Sequence, residues 1–236
     1  MWDFIDKAVY INLDHREDRR QIMNRFFEEG KIPEEKVQRF SAVHDSCGMI
    51  GCAKSHIGVL KLAKAMGWKS VLVMEDDLEW INFEEKYTEL EKLVETETWD
   101  VCMLTGKYLV TTPPKINFAM HSNAYIVKEH YYDTLIANME TGLARKQNFL
   151  VRTNYTWFRK NNSQAVENHV FNIDVYWTFL QQSDNWIGIM PVPICQQVMT
   201  YSDINKKVIC PSWCVNSERS EWATSILNFF IVNKLV

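Results

Sequence analysis

Strand-length apolar runs alternate with helix-period stretches through the first hundred residues, and this alternation constrains the fold more than any other feature of the chain. KAVYINLD, Lys7 to Asp14, is a short apolar run ending in an acid and predicts a buried strand. REDRRQIMNRFFEEG spaces Ile22, Met23, Phe26 and Phe27 as a helix does and closes on Gly30. KVQRFSAV predicts a second strand. GCAKSHIGVLKLAKAMG gives a helix stripe through Ile57, Leu60 and Leu62 to Ala65, stopped by Gly67. KSVLVM predicts a third strand, NFEEKYTELEKLVE a solvated helix, and WDVCMLTG a fourth strand. Such alternation marks an α/β sheet of the doubly wound, parallel kind. Ligands of these sheets gather beyond the carboxyl ends of the strands. Three of those ends carry Asn12 with Asp14, then Glu75, Asp76 and Asp77, then Thr105 with Gly106.

The second half is less regular. HSNAYIVKEHYYDTLIANM predicts a strand then a helix, and the polar, aromatic run from Asn148 to Phe171 predicts long loops over a site. IDVYWTFLQQS reads as a short helix, NWIGIMPVPICQQ as strand and turn, and SERSEWATSILNFFIV as a closing helix capped by Ser217. At 236 residues the chain suits a single domain spanning 1–236.

Charge and cysteine usage exclude several classes. Lysine plus arginine number 26 against 30 acids, a net charge of -4, so no basic field points to nucleic acid as partner. The six cysteines are dispersed, and Cys210 with Cys214 is the only close pair, so the sequence shows no zinc framework. The opening MWDFIDKAVYINLD carries acids early and lacks the apolar core of a leader, and ILNFFIV is too short to span a bilayer. Reduced thiols in a cytoplasmic protein are expected.

The candidate chemistry starts at SVLVMEDD. Three adjacent carboxylates after an apolar strand repel one another unless a cation sits among them, and hard divalent ions prefer oxygen ligands and bridge nucleotide phosphates. Glu75 and Asp77 are the candidate metal ligands; solvated acids at a turn are the bland alternative. In INLDHREDRR, Arg16, Arg19 and Arg20 could meet a diphosphate bidentately. On a surface helix, Glu17 and Asp18 would instead neutralise them. GMIGCAKSH opens a helix with small residues that let backbone N–H groups approach a ligand, without a Walker A loop or a dinucleotide fingerprint. Asp174 in FNIDVYW is an acid among apolar and aromatic residues, where burial would raise its pKa and suit it to general-base work; a helix cap is its other reading. Gln197, Ser202 and Asp203 form a polar group after an apolar turn.

Together these segments resemble glycosyltransferase family 25, which includes bacterial lipooligosaccharide sugar transferases and collagen galactosyltransferases. VYINLDHREDRR, VQRFSAV, GMIGCAKSHIGVLKLA, WKSVLVMEDD, DVCMLTG, HSNAYIVKEHYYDTLI and YSDI follow the family's order of motifs over about residues 7 to 204. The acidic motif reads Glu-x-Asp where many sugar transferases have Asp-x-Asp, and His15 stands where arginine is common. The resemblance implies a GT-A type fold, a Rossmann-like mixed sheet with helices on both faces, in which 1–110 bind the nucleotide sugar and 111–236 the acceptor. It implies inverting transfer of a hexose, galactose or glucose, from a UDP-sugar to a hydroxyl of a glycan or hydroxylysine-type acceptor. Manganese or magnesium would be held by Glu75 and Asp77, with Asp174 as base. Asn12, Leu13, Asp14, Arg16, Arg19, Gly51, Ser55, His56, Asp76, Gln197, Ser202 and Asp203 would bind the nucleotide sugar. No nucleic acid and no transmembrane segment enter this reading, and a homodimer is its candidate assembly. Two rivals stand beside it: a sugar-nucleotide or glycan-binding module without turnover, and a metal-dependent nucleotidyltransferase.

Overall fold

The computed structural model describes residues 1–152, 169–197, 200–202 and 207–209. Its first elements follow the sequence: β1 (Lys7–Asn12), α1 (Glu17–Glu29), β2 (Val37–Ser41), α2 (Gly48–Met66), β3 (Ser70–Met74), a short β4 (Leu78–Trp80), α3 (Phe83–Thr96) and β5 (Val101–Met103). A hairpin of β6 (Lys107–Thr112) and β7 (Lys115–Met120) comes next, then β8 (Ala124–Lys128) and α4 (Tyr132–Arg152). A single turn, α5 (Ile173–Tyr176), runs into a 3-10 helix at Trp177–Gln182, before β9 (Trp186–Gly188) and β10 (Ile194–Gln196). Strands β11 (Thr200–Ser202) and β12 (Lys207–Ile209) pair with each other. Ser217 and the expected closing helix lie outside the described residues, as does most of the loop expected after Asn148, whose first residues instead extend α4.

Eight strands form one sheet in the order β2-β1-β3-β8-β5-β9-β7-β6. β1 pairs in parallel with β2 and β3, and β5 with β9, whereas β8 lies antiparallel to both β3 and β5. The sheet is therefore the mixed α/β sheet expected, but the early strands do not form an unbroken parallel set. AYIVK of β8 is apolar on both faces, and that lets it enter the buried centre of the sheet between β3 and β5.

Helices cover both faces, and the pleat assigns the core residues to them. Val71 and Val73 of β3 share a core with Ile57 and Leu60 of α2 and Leu135 and Met139 of α4. Leu72 and Met74 point the other way, into the core of Met23 and Phe26 from α1 and Tyr87 and Leu90 from α3. The expected stripe of α2 is corrected at its end: Ala63 is buried, Leu62 only half-buried and Ala65 exposed. Nor is α3 wholly solvated, since Phe83, Tyr87, Leu90 and Val94 are buried.

Glycines end or admit the helices for distinct reasons. Gly67 takes the left-handed conformation (φ 67°) that closes α2, donating its N–H to Lys64 at 3.2 Å while Trp68 N–H reaches Ala63 O at 3.1 Å. Gly30 after α1 has ordinary dihedrals; the Trp80 ring lies where a side chain would be. Gly51, inside α2, faces the Val43 carbonyl, which would stand 2.5 Å from an added Cβ. Gly51→Ala should therefore lower stability by about 1–3 kcal/mol, the overpacking cost, although alanine favours helix by about 1 kcal/mol. A backbone carbonyl cannot rotate aside as a side chain can. Urea unfolding midpoints check this, and a midpoint at or above wild type would show that the loop before α2 yields freely.

Candidate active site

The carboxyl ends of β1, β3 and β5 open on one edge of the sheet, because β8 runs opposite to β3 and β5. The loop before β8, with His121, Ser122 and Asn123, reaches the same edge, and Glu75 N–H donates to Asn123 O at 2.8 Å. Here β3 ends and the acids part: Glu75 and Asp76 keep its alternation, and Asp77, beyond the strand, joins Asp76 at Arg19. Asp76 and Asp77 meet α1, whereas Glu75 meets α2.

Arg19 answers the first pair. Its Nη1 lies 2.5 Å from Asp76 Oδ1 and its Nη2 3.1 Å from Asp77 Oδ2. All three side chains are buried. Asn12 Nδ2 donates to Asp76 Oδ2 at 2.7 Å, and its Oδ1 accepts from Arg20 Nε and Arg39 Nε, each at 3.0 Å. Gln196 Nε2 donates to Asp77 Oδ2 at 2.7 Å. Burial pushes the Asp76 carboxyl up despite Arg19 and Asn12, and it pushes Asp77 further, to about 7, with Glu75 and Asp76 adding repulsion. Arg19 is itself held charged by the two carboxylates, which outweigh its burial. The Arg19 guanidinium, expected to meet a diphosphate, is committed to these acids.

Other residues expected at the nucleotide sugar have local duties here. Arg16 clasps Asp18 through Nε at 2.9 Å and Nη2 at 2.7 Å, the pairing that a helix neutralising its own charge would make. Asp14 is exposed, accepts from Arg39 and from Ser41 Oγ, and has its pKa lowered by them. Leu13 is half-buried and its carbonyl accepts from Arg16 N–H at 2.9 Å. Ser55 Oγ donates to Gly51 O at 2.7 Å and accepts from Val43 N–H at 2.8 Å, which pins the loop onto α2 and uses the close approach that Gly51 permits. Gln197 N–H donates to Asp77 O at 2.6 Å. Ser202 ends β11, and Asp203 lies outside the described residues.

Glu75 belongs to a second group, assembled from α2, α4, α5 and the loop before β8. His56 is fully buried, with Nδ1 3.1 Å from the Tyr125 hydroxyl and Nε2 3.8 Å from Glu75 Oε1. Burial alone would raise the Glu75 carboxyl, but His56, Arg19 and His121 outweigh it and leave it lowered. His121, with φ at 78°, directs Nδ1 to within 3.9 Å of Asp174 Oδ2. Burial depresses its imidazole to about 4, so it is neutral near pH 7. Asp174 occupies the first turn of α5, but Asn172 holds the cap position, so the cap reading of Asp174 does not apply. Burial raises its carboxyl to about 6, and the charge of Glu75 adds to the rise. Lys146 of α4 is buried and depressed to about 8 by burial, with Cys47 and Asp174 acting against that.

His121, Asn123, Lys146 and Gln196 were not singled out in the sequence. For His121 and Asn123 the signal was a polar run just ahead of an apolar strand. Lys146 follows Met139 and Gly142 at i+7 and i+4 on the buried side of α4.

An oxygen-ligating cation suits part of this site. Asp77 Oδ1 and Asn123 Oδ1 are buried without hydrogen-bond partners, and a divalent ion needs only one or two carboxylates when phosphates supply the rest. Asp77 is the better-placed ligand. Glu75 would contribute only charge, since its side chain turns toward α2.

No family model matches the chain, and no curated protein does. Among solved structures, it is similar to the glycosyltransferase GlyE of Streptococcus pneumoniae TIGR4, with a TM-score of 0.40 and 11% identity over 97% of this chain. The chain spans 56% of the length of that structure. A likeness this shallow adds nothing to the chemistry read from the side chains. Among the described residues, no helix is long and apolar enough to cross a membrane.

Removing Arg19 would leave Asp76 and Asp77 buried and unanswered. Arg19→Ala should destabilise the protein by about 3–5 kcal/mol, as expected for breaking a buried ion pair from one side. Chemical denaturation at pH 7.5 measures it. A change below about 1 kcal/mol would mean that the pair is solvated in solution.

Proposed function

We propose that this edge of the sheet carries out inverting transfer of a hexose, galactose or glucose, from a UDP-sugar to a hydroxyl of a glycan or hydroxylysine-type acceptor. The observation that carries this reading is that Asp174, beside His121 of the loop before β8, feels the charge of Glu75 from a hundred residues earlier in the sequence. A carboxyl raised to about 6 and 24% exposed stands 3.9 Å from His121 at the end of the strands. Such a carboxyl is ionised at neutral pH yet more basic than an ordinary aspartate, which suits a general base. The order of motifs shared with glycosyltransferase family 25 supports the donor and acceptor classes, as well as the GT-A form of the sheet.

In this reading the acceptor hydroxyl gives its proton to Asp174 as its oxygen bonds to the anomeric carbon. The bond from that carbon to the diphosphate breaks on the opposite face, and UDP leaves with the electron pair. Neutral His121, 3.9 Å away, leaves the charge of the carboxylate unquenched. Asp77, with Glu75 beside it, would hold manganese or magnesium, which when bound offsets the charge of the leaving diphosphate. Asn12, Asp76 and Arg19 fix the strand end under the donor, and Asp76 is braced to orient the ribose or sugar rather than to ligate.

Asp174→Asn tests the base assignment. Turnover should fall by roughly 10²–10⁴, the usual contribution of a positioned base, with donor affinity little changed. In the wild type, kcat/KM should rise with pH through about 6 as Asp174 ionises. The stability effect has the opposite sign. A carboxyl raised in the folded state contributes stability that is fully present below its unfolded pKa and is lost as pH rises through about 6. The neutral amide escapes that loss, so the variant should match or exceed wild-type stability at pH 7.5. Wild-type turnover in the variant would remove Asp174 from the reaction.

A further inference from the structure

We propose that Cys52, His56 and Glu75 form a metal site of a second kind, a thiophilic one that takes a zinc-class divalent ion. Among the described residues they are the group of three whose sulfur, nitrogen and oxygen ligand atoms all lie within 4.8 Å of one another. The three acids after β3 form no such group.

The backbone produces this convergence. Cys52 and His56 are four residues apart on α2 and so lie one above the other on one helix face. Glu75 is the residue after β3, two past Val73, whose side chain points into the core shared with α2. The pleat therefore turns Glu75 toward that face. Zinc bonds of about 2.0–2.3 Å place tetrahedral ligands roughly 3.3–3.8 Å apart. His56 Nε2 and Glu75 Oε1 stand at 3.8 Å, a few tenths of an ångström wider than nitrogen and oxygen ligands need, and small rotations would close the site.

His56 supplies the second observation. It is fully buried, and Nε2 has no hydrogen-bond partner. The tautomer carrying its proton on Nδ1 donates it to the Tyr125 hydroxyl, 3.1 Å away, and leaves the Nε2 lone pair facing Glu75. Metal-bound histidines characteristically use the other ring nitrogen in this way. Charge also balances: a thiolate and a carboxylate offset a divalent cation, with the imidazole neutral and the thiol proton released to solvent. Three protein ligands leave a fourth position open. Thiolate and imidazole favour zinc over magnesium or manganese, so this ion differs from the one Asp77 would hold.

Metal binding here does not rest on the transfer reading. Only one consequence does: zinc would draw Glu75 from the donor site and inhibit transfer. Cobalt(II) is the probe for the site itself, because a cobalt–thiolate bond gives a near-ultraviolet charge-transfer band that carboxylates and imidazoles do not. Titration of the metal-free full chain should develop that band at one cobalt per chain, and zinc should abolish it. The band should vanish in Cys52→Ser and persist in a Cys210→Ser, Cys214→Ser double variant. Should Cys52→Ser fold poorly, alkylation of the wild type followed by peptide mapping answers the same question, with zinc slowing modification at Cys52 by at least tenfold. No band, a band that survives in folded Cys52→Ser, or no protection of Cys52 would overturn the site. Zinc binding without inhibition would leave the site standing and count against Glu75 in transfer.

Discussion

The pleat of β3 decides which helix Glu75 and Asp76 each meet at the sheet edge. Successive side chains leave a strand on opposite faces, and the alternation that sends Val73 toward α2 and Met74 toward α1 continues into the acids. Glu75 follows Val73, and Asp76 follows Met74. One residue of slip would exchange their partners and take Asp76 away from Arg19. The register of β3 with β1 and β8 is fixed by wholly buried side chains on both faces, so such a slip would expose two cores at once.

The edge also shows how one short run of acids serves two ends. Asp76 and Asp77 are buried and braced by Arg19, Asn12 and Gln196, which fixes the position of the loop. Glu75 stays partly open among His56, His121 and Asp174. Placing these charges out of water costs stability, and the raised carboxyls of Asp77 and Asp174 record that cost. Groups poised in this way cluster at sites that do chemistry, where stability is given up for reactivity.

Much of the fold was legible from apolar periodicity, because β1, α1, α2, β3 and α4 each bury one continuous stripe or run. The insertion of β8 was not, since a short apolar strand does not announce which neighbours it takes. The carboxyls that the fold gathers at this edge, Asp174 and the acids after β3, were already singled out by the sequence. Their roles were less so: Arg16 and Arg19 read as phosphate contacts, yet one is clasped by Asp18 and the other by Asp76 and Asp77. A sequence cannot show that a partner two residues or nearly sixty residues away has already claimed a charge. The same blindness hid the Cys52, His56 and Glu75 group, whose third member arrives from another element.

If this edge activates a UDP-sugar, as we propose, a panel of sugar nucleotides will reveal it. UDP-, GDP- and CMP-sugars would each be added with manganese, with released nucleotide and the shift in melting temperature measured together. The UDP-sugar should stabilise the protein and release free UDP, and Asp77→Ala should lose the metal-dependent part of the shift. Pyrophosphate release from a nucleoside triphosphate and a sugar phosphate, or no response to any sugar nucleotide, would contradict the proposal.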